Sequence, residues 1–507
     1  MLTIYKHRQY LARVPFKLSF SLHARWLLLA FALSVVLRWP SISRPLSQHH
    51  ELNSAAVLVC VKAWQQAGGP AAYWYTPIQF YTQVASQQWP QPSKPLGKIL
   101  QSGGYFAVGP GSYLMPYFGF TALGISPSPL AINLFNLCLQ LLVLWLLYGL
   151  ASASYRWLKP HGQEAAAREV GFYTALVYLC LPATLWYHAN AYNHEVAIIP
   201  LLLAAQWMAL RMLQRPAGLA HCCLLAVLLA AATATDWLGA LAAAGIGTTL
   251  LMYWPASAGK RFLLAFGLGL VVLTTVGLIL YSYHRLISWP ALQYFYTSSF
   301  SRRTAWHTNN YHWGHWIAYA AVGAGVMGLP ALLAVWQKRK QWWQPRSLAW
   351  ILVVAAPALM HTLLLSGFSQ EHDYALLKWM PLVSMLAAAA WPQLVRHKWA
   401  FVGIVLANLA IYYLVNPPAI NQTLSQRHSR FARMGQAVQQ QVPADAVLMV
   451  VPNQYHHQLE WYADRHYWPM PDSATAVRMA RMYGLSKVWL LTPDPQHGEP
   501  RLTALPR

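Results

Sequence analysis

Long apolar runs recur from Trp26 to Val415, and they constrain the fold more than any other feature of the chain. A helical bilayer crossing needs about 20 largely apolar residues, or somewhat fewer where flanking side chains snorkel. Eleven such spans are expected: 26–40, 130–151, 170–187, 196–212, 218–235, 237–253, 262–281, 316–336, 348–365, 375–394 and 399–415. Of the 507 residues 57% are hydrophobic and only 10% charged, which excludes an ordinary soluble enzyme. The expectation is a mainly α, polytopic helical membrane protein.

Charge orients those spans. There are 36 Lys and Arg against 13 Asp and Glu, a formal net charge of +23. Most of the excess sits in short loops between apolar runs, where it sets topology and faces anionic headgroups, so nucleic acid is not implied. The N-terminal leader, Arg156/Lys159/Arg168, Arg211/Arg215, Lys260/Arg261, Lys338/Arg339/Lys340/Arg346 and Arg396/Lys398 all fall on one side. The positive-inside rule makes that side cytoplasmic, with the N-terminus on it and the C-terminus outside. A bacterial inner membrane is the expected location. Lys6 to Arg25 precede the first run with no Ala-x-Ala site after it, which reads as an uncleaved signal anchor rather than a cleaved signal peptide. Of Cys60, Cys138, Cys180, Cys222 and Cys223, only Cys60 should reach the outer side, so no disulfide framework is expected.

Seven acidic residues precede Asn416. Glu164 and Glu169 fall in a basic cytoplasmic loop. Glu51, Glu195, Asp236, Glu371 and Asp373 all fall on the opposite face, which points to an extracytoplasmic active site. The first outer loop, 41–129, is too long for a simple connection. Its stretch 52–66 has helical apolar spacing and suggests a helix lying along the membrane surface. The fourth outer loop, about 282–315, carries Arg285, Arg302 and Arg303. After Asn416-Pro417-Pro418 the composition changes. Residues 416–507 read as a small extracytoplasmic α/β domain, with helices at 431–441 and 474–482 and strands at 446–451 and 487–491. Residues 1–415 form the membrane domain.

Several constellations can carry chemistry, each with a plainer reading. His49-His50-Glu51 could supply a general base or metal ligands, or be a polar surface loop. Tyr105 leads into Gly109-Pro110-Gly111, which permits close backbone approach or is simply a turn. Glu195 and Asp236 sit where helix dipoles favour acids, so capping is the alternative. Glu371-His372-Asp373-Tyr374, with Lys378 one turn on, places ionisable groups at membrane depth, a mark of function or of interfacial anchoring. Lys94, Lys98, Arg285, Arg302, Arg303 and Lys378 lie on the side where cations are disfavoured. An anionic ligand would explain them, as would a solvated loop.

In this order the motifs resemble the GT-C membrane glycosyltransferases, in the branch related to protein O-mannosyltransferases and the lipid A aminoarabinose transferase. The resemblance is greatest to family 39-like bacterial members. That branch has a His-x-Glu-x-x-x-Ala pattern near the start of the first loop, then Phe-Pro-Pro-Gly, then His-Asp-Tyr or His-Asp-Phe with Leu-Lys. Here these read His49/His50-Glu51 through Ala55, Val108-Gly109-Pro110-Gly111, and His372-Asp373-Tyr374 with Leu377-Lys378. The likeness spans essentially the whole membrane part. It implies a polyprenyl-phosphate sugar donor and transfer to a glycolipid, polysaccharide or protein acceptor outside the cell. Glu51 would be general base. Lys94, a loose match to a Lys-Pro motif, would contact the lipid phosphate with Arg285, Arg302, Arg303 and Lys378. His50, Tyr105, Glu195, Asp236, His372, Asp373 and Tyr374 would line the cavity. Many members have Asp, or a pair of acids, where this chain has only Glu51. Gly109 replaces the first Pro, and metal binding through an Asp-x-Asp pair is therefore not supported; a divalent metal held in some other way is left open. A lipid-linked saccharide ligase, a transporter or a catalytically inactive assembly partner are the competing readings. A transporter would prefer broken helices with charges near the midplane.

Overall fold

The computed structural model describes residues 22–42, 44–46, 50–78, 104–215, 217–304, 313–394, 398–415, 430–451, 457–465, 467–470, 472–482, 484–493 and 500–505. Lys94 and Lys98 lie outside these residues.

Six helices are long and apolar enough to cross a membrane: Leu22–Ile42, Pro129–Leu158, His194–Gln214, Ala258–His284, Gly314–Gln337 and Pro345–Leu364. A bent pair, Glu164–Cys180 and Pro182–Asn190, makes a seventh if counted as one span. Eleven were expected, and the shortfall has physical causes. Leu219–Thr235 and Leu238–Tyr253 are helices of 17 and 16 residues. At 1.5 Å per residue each reaches only about 25 Å, short of a bilayer core of about 30 Å. The expected span 375–394 begins as a tight 3-10 stretch, Asp373–Trp379, leaving 15 residues of α-helix in Met380–Leu394.

The bend in the pair is 67°. Pro182 has no amide hydrogen to continue the preceding helix, so a new helix starts there. Arg38, buried in the first helix, braces the break. Its guanidinium donates to the Leu185 carbonyl at 3.2 Å, to Gln140 Oε1 at 2.8 Å and to Ser34 Oγ at 2.9 Å. A second irregularity is a π-helical turn, Ile351–Ala355, inside the Pro345–Leu364 span. Gln206 Nε2 donates to its Val353 carbonyl at 3.0 Å.

The expected helix in the first loop runs over Glu51–Gln66, but it does not present an apolar face outward. Ala55 through Val61, Ala63 and Trp64 are all buried. The helix packs between Gly111–Leu123 on one side and His457–Ala463 on the other. The Gly-Pro-Gly turn presses on the end of the Leu219–Thr235 helix. A Cβ at Gly109 would run into the Ala234 carbonyl, and one at Gly111 into the Thr235 side chain. Both plain readings of this motif therefore hold together: it is a turn, and it is a close approach.

Near the C-terminus a four-stranded sheet has the order β2-β1-β3-β4, with β1 Val447–Val450, β2 Trp468–Pro469, β3 Val488–Pro493 and β4 Pro500–Ala504. β1 runs parallel to β2 and β3, and β4 closes antiparallel to β3. β1 is buried on both faces, as a central parallel strand requires. Leu448 and Val450 pack with Met434 and Val438 of the Arg430–Gln441 helix. Val447 and Met449 pack with Ala476 and Ala480 of Ser473–Met482. Helices thus cover both faces of the sheet. The Tyr462 hydroxyl accepts from the Leu46 amide at 2.7 Å, and Lys62 meets Asp464 at 2.5 Å, tying this unit to the first loop.

Candidate active site

Tyr374, buried at the start of the 3-10 stretch, is the hub of an aromatic and ionisable cluster. Its ring centre lies 4.8 Å from His50, 4.9 Å from His372, 5.8 Å from Phe368, 6.1 Å from His194 and 6.3 Å from Tyr187. Residues far apart in sequence meet here because five helix ends converge on one level of the bundle. Burial pushes the Tyr374 hydroxyl well above its ordinary range, so it stays a neutral hydrogen-bonding group.

His50 takes up a left-handed backbone conformation (φ 61°) just before the Glu51–Gln66 helix. Such a residue is uncommon outside glycine, and here the kink turns the imidazole into the cluster. His50 Nε2 lies 2.8 Å from Asp373 Oδ1. The Tyr187 hydroxyl donates to the same oxygen at 2.5 Å.

Glu51 opens the helix that follows, where the helix dipole favours an acid. It is buried, and both of its oxygens are met by the Arg44 guanidinium, one of them at 3.2 Å. Arg44 also lies over the Trp186 ring at 5.7 Å. The pair orients the carboxylate.

Deeper in the cluster, Lys378 Nζ lies 3.4 Å from Glu195 Oε1, with both side chains fully buried. Glu195 Oε2 has no hydrogen-bond partner among the described residues. Glu195 is not the cap of its helix: Asn193 Oδ1 accepts from the Val196 amide at 2.9 Å and does that work. Asp236 is both cap and charge partner. Its Oδ1 accepts from the Leu238 amide at 2.8 Å, while His361 Nε2 stands 3.3 Å and His194 Nε2 3.6 Å from the carboxylate. Burial would raise the Asp236 carboxyl, but the His361 hydrogen bond, both imidazoles and the Leu238 amide hold it below the usual range. His372 is pulled down to about 3, first by burial and then by His50, His194 and Arg303, so it is a neutral imidazole.

The cations divide. Arg303 lies over the Phe368 ring at 5.6 Å, and Lys378 over the same ring at 5.8 Å. Arg285 is exposed and stacks on Trp74 at 4.1 Å, away from Tyr374. Arg302 has its backbone in the Trp289–Thr304 helix, one residue before Arg303. Tyr105 is half-buried, its ring 6.4 Å from Tyr113. Glu371 is exposed.

Sequence reasoning passed over four contributors. Arg44 had a usable signal, since it is a cation on the side where cations are disfavoured. His361 had one too, as an ionisable residue inside the expected span 348–365, whereas Phe368 and Tyr187 carried none. No three His, Cys, Asp or Glu side chains among the described residues are grouped as a metal cage.

With that geometry in hand, likeness to known proteins can be weighed. No protein-family profile matches the chain, and no curated protein matches it in sequence. Solved structures do match. ArnT from Cupriavidus metallidurans bound to undecaprenyl phosphate superposes with a TM-score of 0.61 at 14% identity, covering 92% of this chain and 93% of that one. The oligosaccharyltransferase AglB from Archaeoglobus fulgidus, in complex with an inhibitory peptide and a dolichol-phosphate, gives 0.55 at 11%, covering 92% and 69%. At such identities the likeness establishes the fold. The chain is an integral membrane protein with the GT-C fold.

Proposed function

We propose that the chain is a glycosyltransferase that moves a sugar from a polyprenyl-phosphate donor to an acceptor hydroxyl on the extracytoplasmic face of a bacterial inner membrane. The N-terminus would then be cytoplasmic and the sheet-bearing unit, residues 416–507, outside as a domain of its own. The observation that carries the reading is the convergence of Asp373, Glu195 and Asp236 on one aromatic hub with Arg303 at its edge, and with Glu51 next in the chain to the hub residue His50. Support also comes from the fold, whose solved examples include complexes with dolichol-phosphate and undecaprenyl phosphate.

The chemistry needs two things. A base takes the acceptor hydroxyl proton as that oxygen attacks the anomeric carbon, and the bond from that carbon to the phosphate oxygen breaks. The departing polyprenyl phosphate carries the electron pair away and needs a cation to hold it. Glu51 is the proposed base. Arg44 holds and aims it. Arg303 is the cation placed for the phosphate, joined by Lys94 on the strength of its Lys-Pro motif. Lys378 is already neutralised by Glu195 and serves to hold the helix ends together. The His50–Asp373 pair is the rival base, because its imidazole is oriented by a carboxylate that Tyr187 also grips.

The test is transfer of labelled sugar from a panel of polyprenyl-phosphate donors by the purified protein in nanodiscs. Turnover of one donor, lost in Glu51→Gln and kept in His50→Gln, supports the assignment. Loss in His50→Gln and Asp373→Asn with Glu51→Gln still active moves the base to the dyad. Failure to bind any donor overturns the transferase reading.

A further inference from the structure

At the end of the bundle opposite the acid cluster lies a cavity of about 560 Å³, within the usual range for a small-molecule site. Its floor is apolar, with Val170, Trp350, Met385 and Leu386. Two lysines, Lys159 and Lys338, also line it. They come from different segments, just past the ends of the Pro129–Leu158 and Gly314–Gln337 spans.

Three observations say what such a cavity takes. The first is charge. Neither lysine has a carboxylate within 4.0 Å among the described residues. Glu169, the one acid in the lining, is exposed. Glu164 is engaged by Arg156 at 3.0 Å and Arg168 at 3.4 Å. Burial lowers the Lys338 ammonium below its ordinary range, and the neighbouring Lys159 lowers it further. Two neighbouring cations, neither paired with a carboxylate among the described residues, favour an anion between them.

The second observation is level. Leu158, which lines this cavity, ends a candidate span, and the lining residues Lys338 and Gln344 are the chain neighbours of the span ends Gln337 and Pro345. Span ends mark the depth at which hydrocarbon gives way to headgroups. Trp336 and Trp343, 65% and 80% exposed, stand beside it as interfacial aromatics do.

The third is a built wall. Trp350 Nε1 donates to Ser154 Oγ at 3.0 Å, and the Trp342 and Trp350 rings stack at 6.1 Å. These contacts hold an apolar slot open below the lysines. An inorganic anion would have no use for that slot, whereas a lipid chain would fill it.

The geometry points to a binding site for one anionic phospholipid, its phosphate between Lys159 and Lys338 and one chain in the slot below. The site stands apart from the acid cluster and rests only on the membrane placement of the bundle, so it does not share the fate of the transferase reading.

Native mass spectrometry of the full chain, titrated in detergent with dioleoyl phosphatidylglycerol, tests it. The wild type is expected to retain one phosphatidylglycerol at least tenfold more tightly than dioleoyl phosphatidylcholine. Lys159→Gln/Lys338→Gln should weaken that lipid about tenfold, while Lys159→Arg/Lys338→Arg keeps it. Ala389→Trp, which fills the slot and leaves both lysines, should also lose it, and it serves if the glutamine variant fails to fold. Equal retention of the two lipids overturns the proposal, as does unchanged binding in both the glutamine and the tryptophan variants. Displacement of the lipid by millimolar inorganic phosphate would overturn the lipid assignment in favour of a free-anion site.

Discussion

Arg44 grips both oxygens of Glu51 while the two side chains are only 8% and 2% exposed, so removing one charge strands the other. Breaking a buried pair from one side typically destabilises by about 3–5 kcal/mol. Glu51→Gln should therefore lose transfer by on the order of 100-fold or more, as for a missing general base, and also melt lower. The double variant Arg44→Gln/Glu51→Gln separates the two effects. It should regain most of the lost stability, because no lone charge remains, and regain no transfer. Thermal melting beside labelled-sugar transfer reads both, and transfer restored in the double variant would show that Glu51 is not the base. His372 gives a second prediction at this scale. In the unfolded chain its imidazole has the ordinary pKa of 6.5, and in the fold it lies at about 3. As pH falls below 6.5 the unfolded chain gains a proton that the folded one refuses, so stability falls. His372→Gln should shed part of that loss, with a smaller drop in melting temperature between pH 7 and pH 5 than the wild type shows.

Arg38 shows how one side chain sets the shape of an element. It links the first helix to Gln140 and to the Leu185 carbonyl just past the Pro182 break. That carbonyl belongs to the short helix carrying Tyr187 into the cluster. Arg38→Met keeps the packing volume but leaves Gln140 Oε1 and Leu185 O without this donor. Each buried unsatisfied group costs about 1–3 kcal/mol, so the melting temperature should drop by several degrees. Gln140→Leu on top of Arg38→Met should restore part of it, since it removes the Gln140 amide oxygen that has lost its donor, while Leu185 O still lacks one. An unchanged melting temperature in Arg38→Met would mean the bend stands on Pro182 alone. The same elements mark how far sequence reading reached. Apolar runs revealed the helices at 26–40, 130–151 and 262–281, because a hydropathy window senses length and apolarity. It is blind to a proline bend at 182, to the 3-10 stretch at Asp373–Trp379 and to a π-turn at Ile351–Ala355, because backbone geometry leaves no mark in mean apolarity. In the site, Glu51, Glu195, Asp236 and Asp373 were legible as rare acids on one face. Their pairing with Arg44, Tyr187 and His361 was not, since it depends on which helix ends meet.

Across the whole molecule, the Glu51–Gln66 helix lies between the bundle and the sheet-bearing unit, and the acid cluster begins at its first turn. The unit reaches that region through contacts that include Tyr462 on the Leu46 amide, Asp464 on Lys62 and the Trp461 ring under the Lys62 ammonium. Leu46 is two residues from Arg44, so docking of this unit bears directly on the geometry of the Arg44–Glu51 pair. Tyr462→Phe removes one hydrogen bond from a buried amide and little else, worth about 1 kcal/mol or a factor of about five in local opening. Amide hydrogen exchange should then quicken by about that factor at residues 44–53, and little in the Pro129–Leu158 and His194–Gln214 helices, whose protection follows the bundle. If Arg44 holds the proposed base, transfer in Tyr462→Phe should fall through turnover rather than through donor affinity, because the proposed phosphate cation, Arg303, lies elsewhere. Faster exchange spread evenly over the bundle would instead make Tyr462 a support of global stability. No change at residues 44–53 would mean that the C-terminal unit rests on the first loop without steadying it.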